Sequence, residues 1–157
     1  MDILKELYRV AGALAEAQIN YAICGGLAVA IHGRPRMTVD IDLLLPAEEI
    51  AKAVDAVAAI GFDDVNGWVV LPSNIFGVNR LLRVNKLDGK EFLTLDLLEA
   101  DSESNPLFRD RQAFEIDGQV ITVLSRESLI KMKLKTGRPQ DKIDAELLQR
   151  DVTDESN

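Results

Sequence analysis

Asp40 and Asp42 stand on either side of Ile41 within residues 38–45, a run rich enough in Val, Ile and Leu to be a buried strand. Alternation along a strand puts both carboxylates on one face, with Val39, Ile41 and Leu43 on the other. Residues two apart on a strand are ~6.6 Å apart at the backbone, so the carboxylates can converge on cations that lie ~3.5 to 4 Å apart in two-metal sites. Upstream, residues 21–24 form a short apolar strand, and Gly25-Gly26 makes a tight turn into a small-residue helix over 27–32. Unpaired N–H groups at such a helix start carry partial positive charge and suit a phosphate, which glycines allow to come close. With Arg34, Arg36 and Thr38 lying between the glycines and the aspartates, the stretch reads as a phosphate and metal site.

A third carboxylate comes later. Residues 78–85 and 90–98 read as a strand pair around Asp88-Gly89, and Phe92, Thr94, Asp96 and Leu98 share a face of the second strand. Asp96 therefore sits in an apolar run where an unpaired charge is expensive, and it needs a partner. Glu91 and Glu99 lie at the strand ends and read as solvated. Like charges ~4 Å apart at an effective dielectric of ~20 repel by ~4 kcal/mol, so a cluster of Asp40, Asp42 and Asp96 is poorly motivated as structure and well motivated as a cation site. The competing structural reading has the aspartates capping turns or pairing with Arg34 and Arg36.

Gly25-Gly26 followed by Arg36-Met37-Thr38-Val39-Asp40-Ile41-Asp42 resembles the signature of the polymerase-beta-like nucleotidyltransferase superfamily. The R-x-T-x-D-I-D form is most similar to the AbiEii-type nucleotidyltransferases of toxin–antitoxin systems. The resemblance implies an α+β fold, a mixed β-sheet with helices packed mainly on one face. It implies an enzyme moving an NMP group from an NTP to a hydroxyl of RNA, a protein or a small molecule, with magnesium (Mg2+) or manganese (Mn2+) as cofactor. Asp40, Asp42 and Asp96 would then hold the metal and carry the chemistry, with Asp96 as general base. Gly25, Gly26 and Arg36 would hold phosphates, with Thr38 supporting the strand or bonding a phosphate. Lys131 and Lys135 lie one turn apart on a helix over 126–136 capped by Ser125; their apolar flanks suit a cleft-facing pair that binds the triphosphate or the acceptor, with a solvated face as the competing reading. Arg138 and Asp141 match the family-like Arg-x-x-Asp segment. The larger AbiEii-type proteins carry a longer C-terminal part than these 157 residues, which motivates an alternative: a catalytically silent fold serving as a binding or regulatory partner, within a toxin–antitoxin pair.

The elements that must position these groups are legible in outline. Asp2 caps a first helix to about residue 18, with Leu4, Leu7, Ala11 and Leu14 at helical spacing. A helix begins near Pro46, buries Ile50, Val54 and Val57, and is closed by Gly61. Residues 62–76 are mixed, with a strand over 68–71 ended by Pro72. Residues 101–111 read as a surface loop, 113–123 as a hairpin around Asp117-Gly118, and a last helix from Pro139 buries Ile143, Leu147 and Leu148. The organisation expected is a single domain over 1–152 and a frayed polar tail over 153–157. His32, the only histidine, takes a helix-end role, and Trp68, the only tryptophan, packs rather than stacking on a base.

A formal charge of −8 argues against general coating of nucleic acid, while leaving room for a local basic cleft. The single cysteine, Cys24, excludes an internal disulfide and suits a reducing compartment. No stretch approaches the ~20 apolar residues of a membrane span. A soluble, cytoplasmic protein is the expectation.

Overall fold

The computed structural model describes residues 1–34 and 37–155, with side chains described through Arg150. In chain order the elements are α1 (Ile3–Glu16), β1 (Ala22–Cys24), α2 (Gly25–Ile31), β2 (Asp40–Pro46), a 3₁₀ turn (Ala47–Glu49), α3 (Ile50–Ala58), β3 (Asp64–Ile75), β4 (Val78–Asp88), β5 (Glu91–Ala100), α4 (Pro106–Arg109), β6 (Gln112–Ile116), β7 (Gln119–Val123), α5 (Arg126–Thr136) and α6 (Pro139–Glu155). The strands form one seven-stranded sheet in the order β3-β4-β5-β2-β1-β7-β6. It is mixed: β2 runs parallel to β5 and antiparallel to β1, and β1 runs parallel to β7. The α+β expectation is met, with six α-helices among the described residues.

Local signals account for most element ends. The Asp2 carboxylate accepts from the Leu4 and Lys5 N–H groups at the start of α1, and the Ser125 hydroxyl accepts from the Ser128 N–H at the start of α5. Asp117 and Gly118 both take positive φ and link β6 to β7, as a two-residue hairpin loop requires.

The sheet separates two apolar clusters. Ile41, Leu43 and Leu45 of β2 and Leu93, Leu95 and Leu97 of β5 enter the larger one with residues of α1, α2, α3 and α6. On the opposite face, Leu44, Leu81 and Leu98 pack with Leu107 and Phe108 of α4 and Met132 of α5. The helices thus gather mainly on one face. The other face is covered by α4 and α5 over its apolar part, and Asp40 and Asp42 lie on that face at the start of β2.

Several sequence expectations are corrected. β2 begins at Asp40, and Val39 is exposed ahead of it. The central hairpin turns on Gly89-Lys90, one residue later than expected, with Asp88 paired to Glu91 and Gly89 at φ +62°. β3 continues through Pro72, which β3 tolerates because it is an edge strand whose register breaks between Val70 and Ile75. Residues 101–111 are not all surface loop: Asn105 caps α4, and Leu107 and Phe108 are buried. On α6 the buried side chains are Asp141, Asp144, Ala145 and Leu148, whereas Ile143 is exposed. That helix extends to Glu155, past the expected start of the tail.

Candidate active site

Register across the sheet assembles the site. Gly67 of β3 pairs with Arg83 of β4, Arg83 with Asp96 of β5, Asp96 with Asp42 of β2, and Asp42 with Cys24 of β1. One rung therefore reads glycine, arginine, aspartate, aspartate, cysteine across five strands. Asp40 lies two residues before Asp42 and pairs with Thr94, so all three expected carboxylates share a face on adjacent rungs.

Gly25 follows Cys24 directly and opens α2 at φ +67°. A Cβ at this position would fall 2.1 Å from Asp42 Oδ2, so only glycine lets the helix start close down on the carboxylate. Gly26 lies in the same first turn. The Thr38 hydroxyl donates to the Asp40 carbonyl (3.3 Å) and so supports the entry to β2. Arg36, expected to hold phosphate, lies outside the described residues.

The electrostatics are those of charges held together against repulsion. Burial, then the charges of Asp96 and Asp40, push Asp42 up to about 7, against opposing contributions from Lys133 and Arg138. Burial and the Asp96 charge also raise Asp40, with Arg83 acting in the opposite direction. Burial raises the Cys24 thiol well above its ordinary value, and the neighbouring Asp42 charge adds to this, so Cys24 is an inert core thiol.

Asp96 has the partner that its apolar run demanded. Arg83 Nε donates to Oδ1 (2.9 Å) and Nη2 to Oδ2 (3.0 Å), a two-bond fork on a carboxylate that is 4% exposed. Local sequence does not mark Arg83 as that partner. Correct counting of the hairpin would have found it, because pairing Asp88 with Glu91 sets Arg83 opposite Asp96. With both Asp96 oxygens on Arg83, no three His, Cys, Asp or Glu side chains among the described residues are gathered closely enough to hold a metal ion together. The donor set nonetheless fits a hard divalent cation. Asp40 and Asp42 offer carboxylate oxygens on one face, where burial and the neighbouring carboxylates disfavour their charged forms, a charge that a divalent cation would offset.

The lysine expectation is corrected. Lys131 and Lys135 are exposed, and the inward lysine of α5 is Lys133, whose Nζ lies 3.1 Å from both Asp141 Oδ1 and Asp144 Oδ2. Asp141 also accepts from Arg138 Nε (2.6 Å) and from the Thr136 hydroxyl. Burial alone would raise Asp141, but these hydrogen bonds and the Lys133 charge hold it below the usual carboxylate value. The Arg-x-x-Asp segment is thus an ion-pair network that fixes the start of α6 beside Asp42, with Arg138 still largely exposed.

Two other residues are structural. His32 caps α2, its Nε2 donates to the Leu124 carbonyl (2.8 Å), and burial lowers its pKa. The Trp68 ring carries the Arg80 guanidinium 3.6 Å from its centroid, and Arg80 also forks onto Glu99.

The seven-stranded mixed sheet with its helices matches nucleotidyltransferase folds among solved structures. The Thermotoga maritima protein TM1012, a candidate nucleotidyltransferase, is 20% identical with a TM-score of 0.64, over 97% of this chain and 93% of that one. The lincosamide antibiotic adenylyltransferase LnuA, solved with lincomycin bound, is 17% identical with a TM-score of 0.63, over 92% and 95%. ANT(2")-Ia, solved with adenylyl-2"-tobramycin, is 18% identical with a TM-score of 0.58, over 96% and 89%. At the level of sequence, residues 3–156 match the family described as "Nucleotidyl transferase of unknown function (DUF2204)", and the chain belongs to that family. Among curated proteins no sequence matches it. No described helix is long and apolar enough to cross a membrane.

Proposed function

We propose that this chain is a metal-dependent nucleotidyltransferase that moves an NMP group from an NTP to a hydroxyl acceptor. The observation that carries the reading is the rung on which Asp42 and Asp96 are neighbours, with Asp40 beside them and Gly25 closed onto Asp42. Asp40 and Asp42 would hold divalent Mg2+ or Mn2+, with Asp96 as the third ligand. When bound, the metal offsets the charge of the carboxylates and the triphosphate and stabilises the departing pyrophosphate. The acceptor oxygen bonds to the α-phosphorus, the bond from that phosphorus to the bridging oxygen breaks, and the hydroxyl proton passes to Asp96. Gly25 and Gly26 let phosphate oxygens approach the backbone, and Arg36 and Thr38 lie on the segment leading into the same strand. Arg138, exposed and close enough to bias Asp42, is better suited to a phosphate oxygen than the outward Lys131 and Lys135.

The acceptor we favour is a small-molecule hydroxyl, because the fold is shared nearly end to end with two antibiotic adenylyltransferases. RNA and protein hydroxyls are further arms of the test, as is the AbiEii-like setting of a toxin–antitoxin pair with a cognate protein partner. Titration calorimetry with ATP, GTP, CTP and UTP, each with Mg2+ or Mn2+, is expected to give metal-dependent binding of at least one nucleotide. Binding of none would sink the enzyme reading. The Arg83 fork on Asp96 favours a second reading, a silent fold acting as a regulatory partner in the cytoplasm. Stable copurification with a protein, without label transfer from α-labelled NTPs to any acceptor, would select it.

A further inference from the structure

We propose that Arg83 is a built-in counter-ion which occupies the third carboxylate in the metal-free protein and must be displaced from Asp96 before a divalent cation can be held by all three aspartates. The inference rests on the reading of Asp40, Asp42 and Asp96 as the cation site, and adds a positioning residue to it. Three observations carry it. The guanidinium takes both Asp96 oxygens in a two-bond fork. It approaches from β4, on the side of β5 opposite to Asp42, so it engages Asp96 from outside the row of carboxylates. It also has somewhere to go. The next position on the rung is Gly67, where a Cβ would meet nothing within 4 Å, and the Arg83 side chain is 36% exposed. A guanidinium beside an empty rung position can leave Asp96 without disturbing the apolar face beneath.

The exchange makes chemical sense in both directions. Without metal, two carboxylates on adjacent strands repel, and Arg83 supplies positive charge bonded to Asp96 and felt at Asp40 as well. With metal and a triphosphate present, the cation replaces the guanidinium, and the released fork is free to bond phosphate or solvent. Arg83 therefore sets how tightly the empty site takes metal, independently of any acceptor.

The test measures Mn2+ alone, without nucleotide, by electron paramagnetic resonance on the full chain. Arg83→Gln is expected to bind Mn2+ about tenfold more tightly than the parent, the equivalent of removing one charge-assisted competitor. Arg83→Lys, which keeps charge but not the fork, should fall between them. A second readout needs no variant: the Arg83 Nε–H resonance of the parent should move on saturation with Mg2+ and a non-hydrolysable NTP, and should stay in place in Asp40→Asn. Equal or weaker Mn2+ binding by Arg83→Gln, or an Nε–H signal unmoved at saturation, overturns the inference while leaving the enzyme reading intact. Failure of parent and Arg83→Gln alike to bind Mn2+ overturns both. Binding by Arg83→Gln alone supports the inference and marks the parent as self-blocked.

Discussion

Replacing Asp42 with Asn should stabilise the metal-free protein, by an amount that depends on pH in a way the site dictates. Burial and the neighbouring carboxylates carry Asp42 from its ordinary 3.8 to about 7. Between those values the folded state binds more protons than the unfolded one, so stability falls as pH rises through the window. At ~1.4 kcal/mol per pH unit, the ionised side chain costs the folded protein up to ~4 kcal/mol by about pH 8.5. Asn keeps the size and cannot ionise. In EDTA the variant should therefore melt ~10 °C above the parent at about pH 8.5, the two converging towards about pH 4, given ~2 to 4 °C per kcal/mol for a chain of this length. Mn2+ should narrow the gap: saturation at ~100 Kd adds ~2.7 kcal/mol to the parent and little to the variant, which leaves the variant ahead by only ~1 to 2 kcal/mol at about pH 8.5. Thermal melts from pH 4 to pH 9, with and without Mn2+, measure all of this. A variant no more stable than the parent at high pH, or a gap that does not change with pH, would refute the reasoning and make Asp42 an ordinary structural carboxylate.

Two further outcomes follow from the same geometry. Lys133→Met should destabilise by ~3 kcal/mol, since it removes the ammonium shared by two buried carboxylates, and acidification below about pH 4 should remove the depressed Asp141's contribution in the parent; a loss below ~1 kcal/mol in chemical denaturation would contradict the network. Gly25→Ala adds a Cβ 2.1 Å from Asp42 Oδ2 at φ +67°, and should cost ~2 kcal/mol in melts and weaken Mn2+ binding by the folded variant; unchanged metal affinity would detach the helix start from the site.

Much of the scaffold follows from local chemistry. Asp2 and Ser125 cap because their side chains reach backbone N–H groups two or three residues on. Asp117-Gly118 turns because both residues tolerate positive φ. Asp40 and Asp42 share a face because strands alternate, a property of any extended backbone. The glycine-led start of α2 and the apolar character around Asp96 are equally local, which is why the three carboxylates could be named from spacing and context.

What the chain does not reveal by local pattern is which side chain meets which. Arg83 was indistinguishable from neighbouring surface bases until the hairpin register put it opposite Asp96, since a shift of one residue in a two-residue loop re-pairs every position on the strand. Lys133 was passed over for Lys131 and Lys135 because α5 has bulky apolar residues all around, and periodicity then gives no rotation. On α6, apolarity pointed to Ile143, yet the buried positions include Asp141 and Asp144, because Lys133 on the adjoining helix supplies their counter-charge. A buried charge is tolerable only when its partner is already in place. That partner comes from another element, so the tertiary structure decided what hydrophobicity along one helix could not.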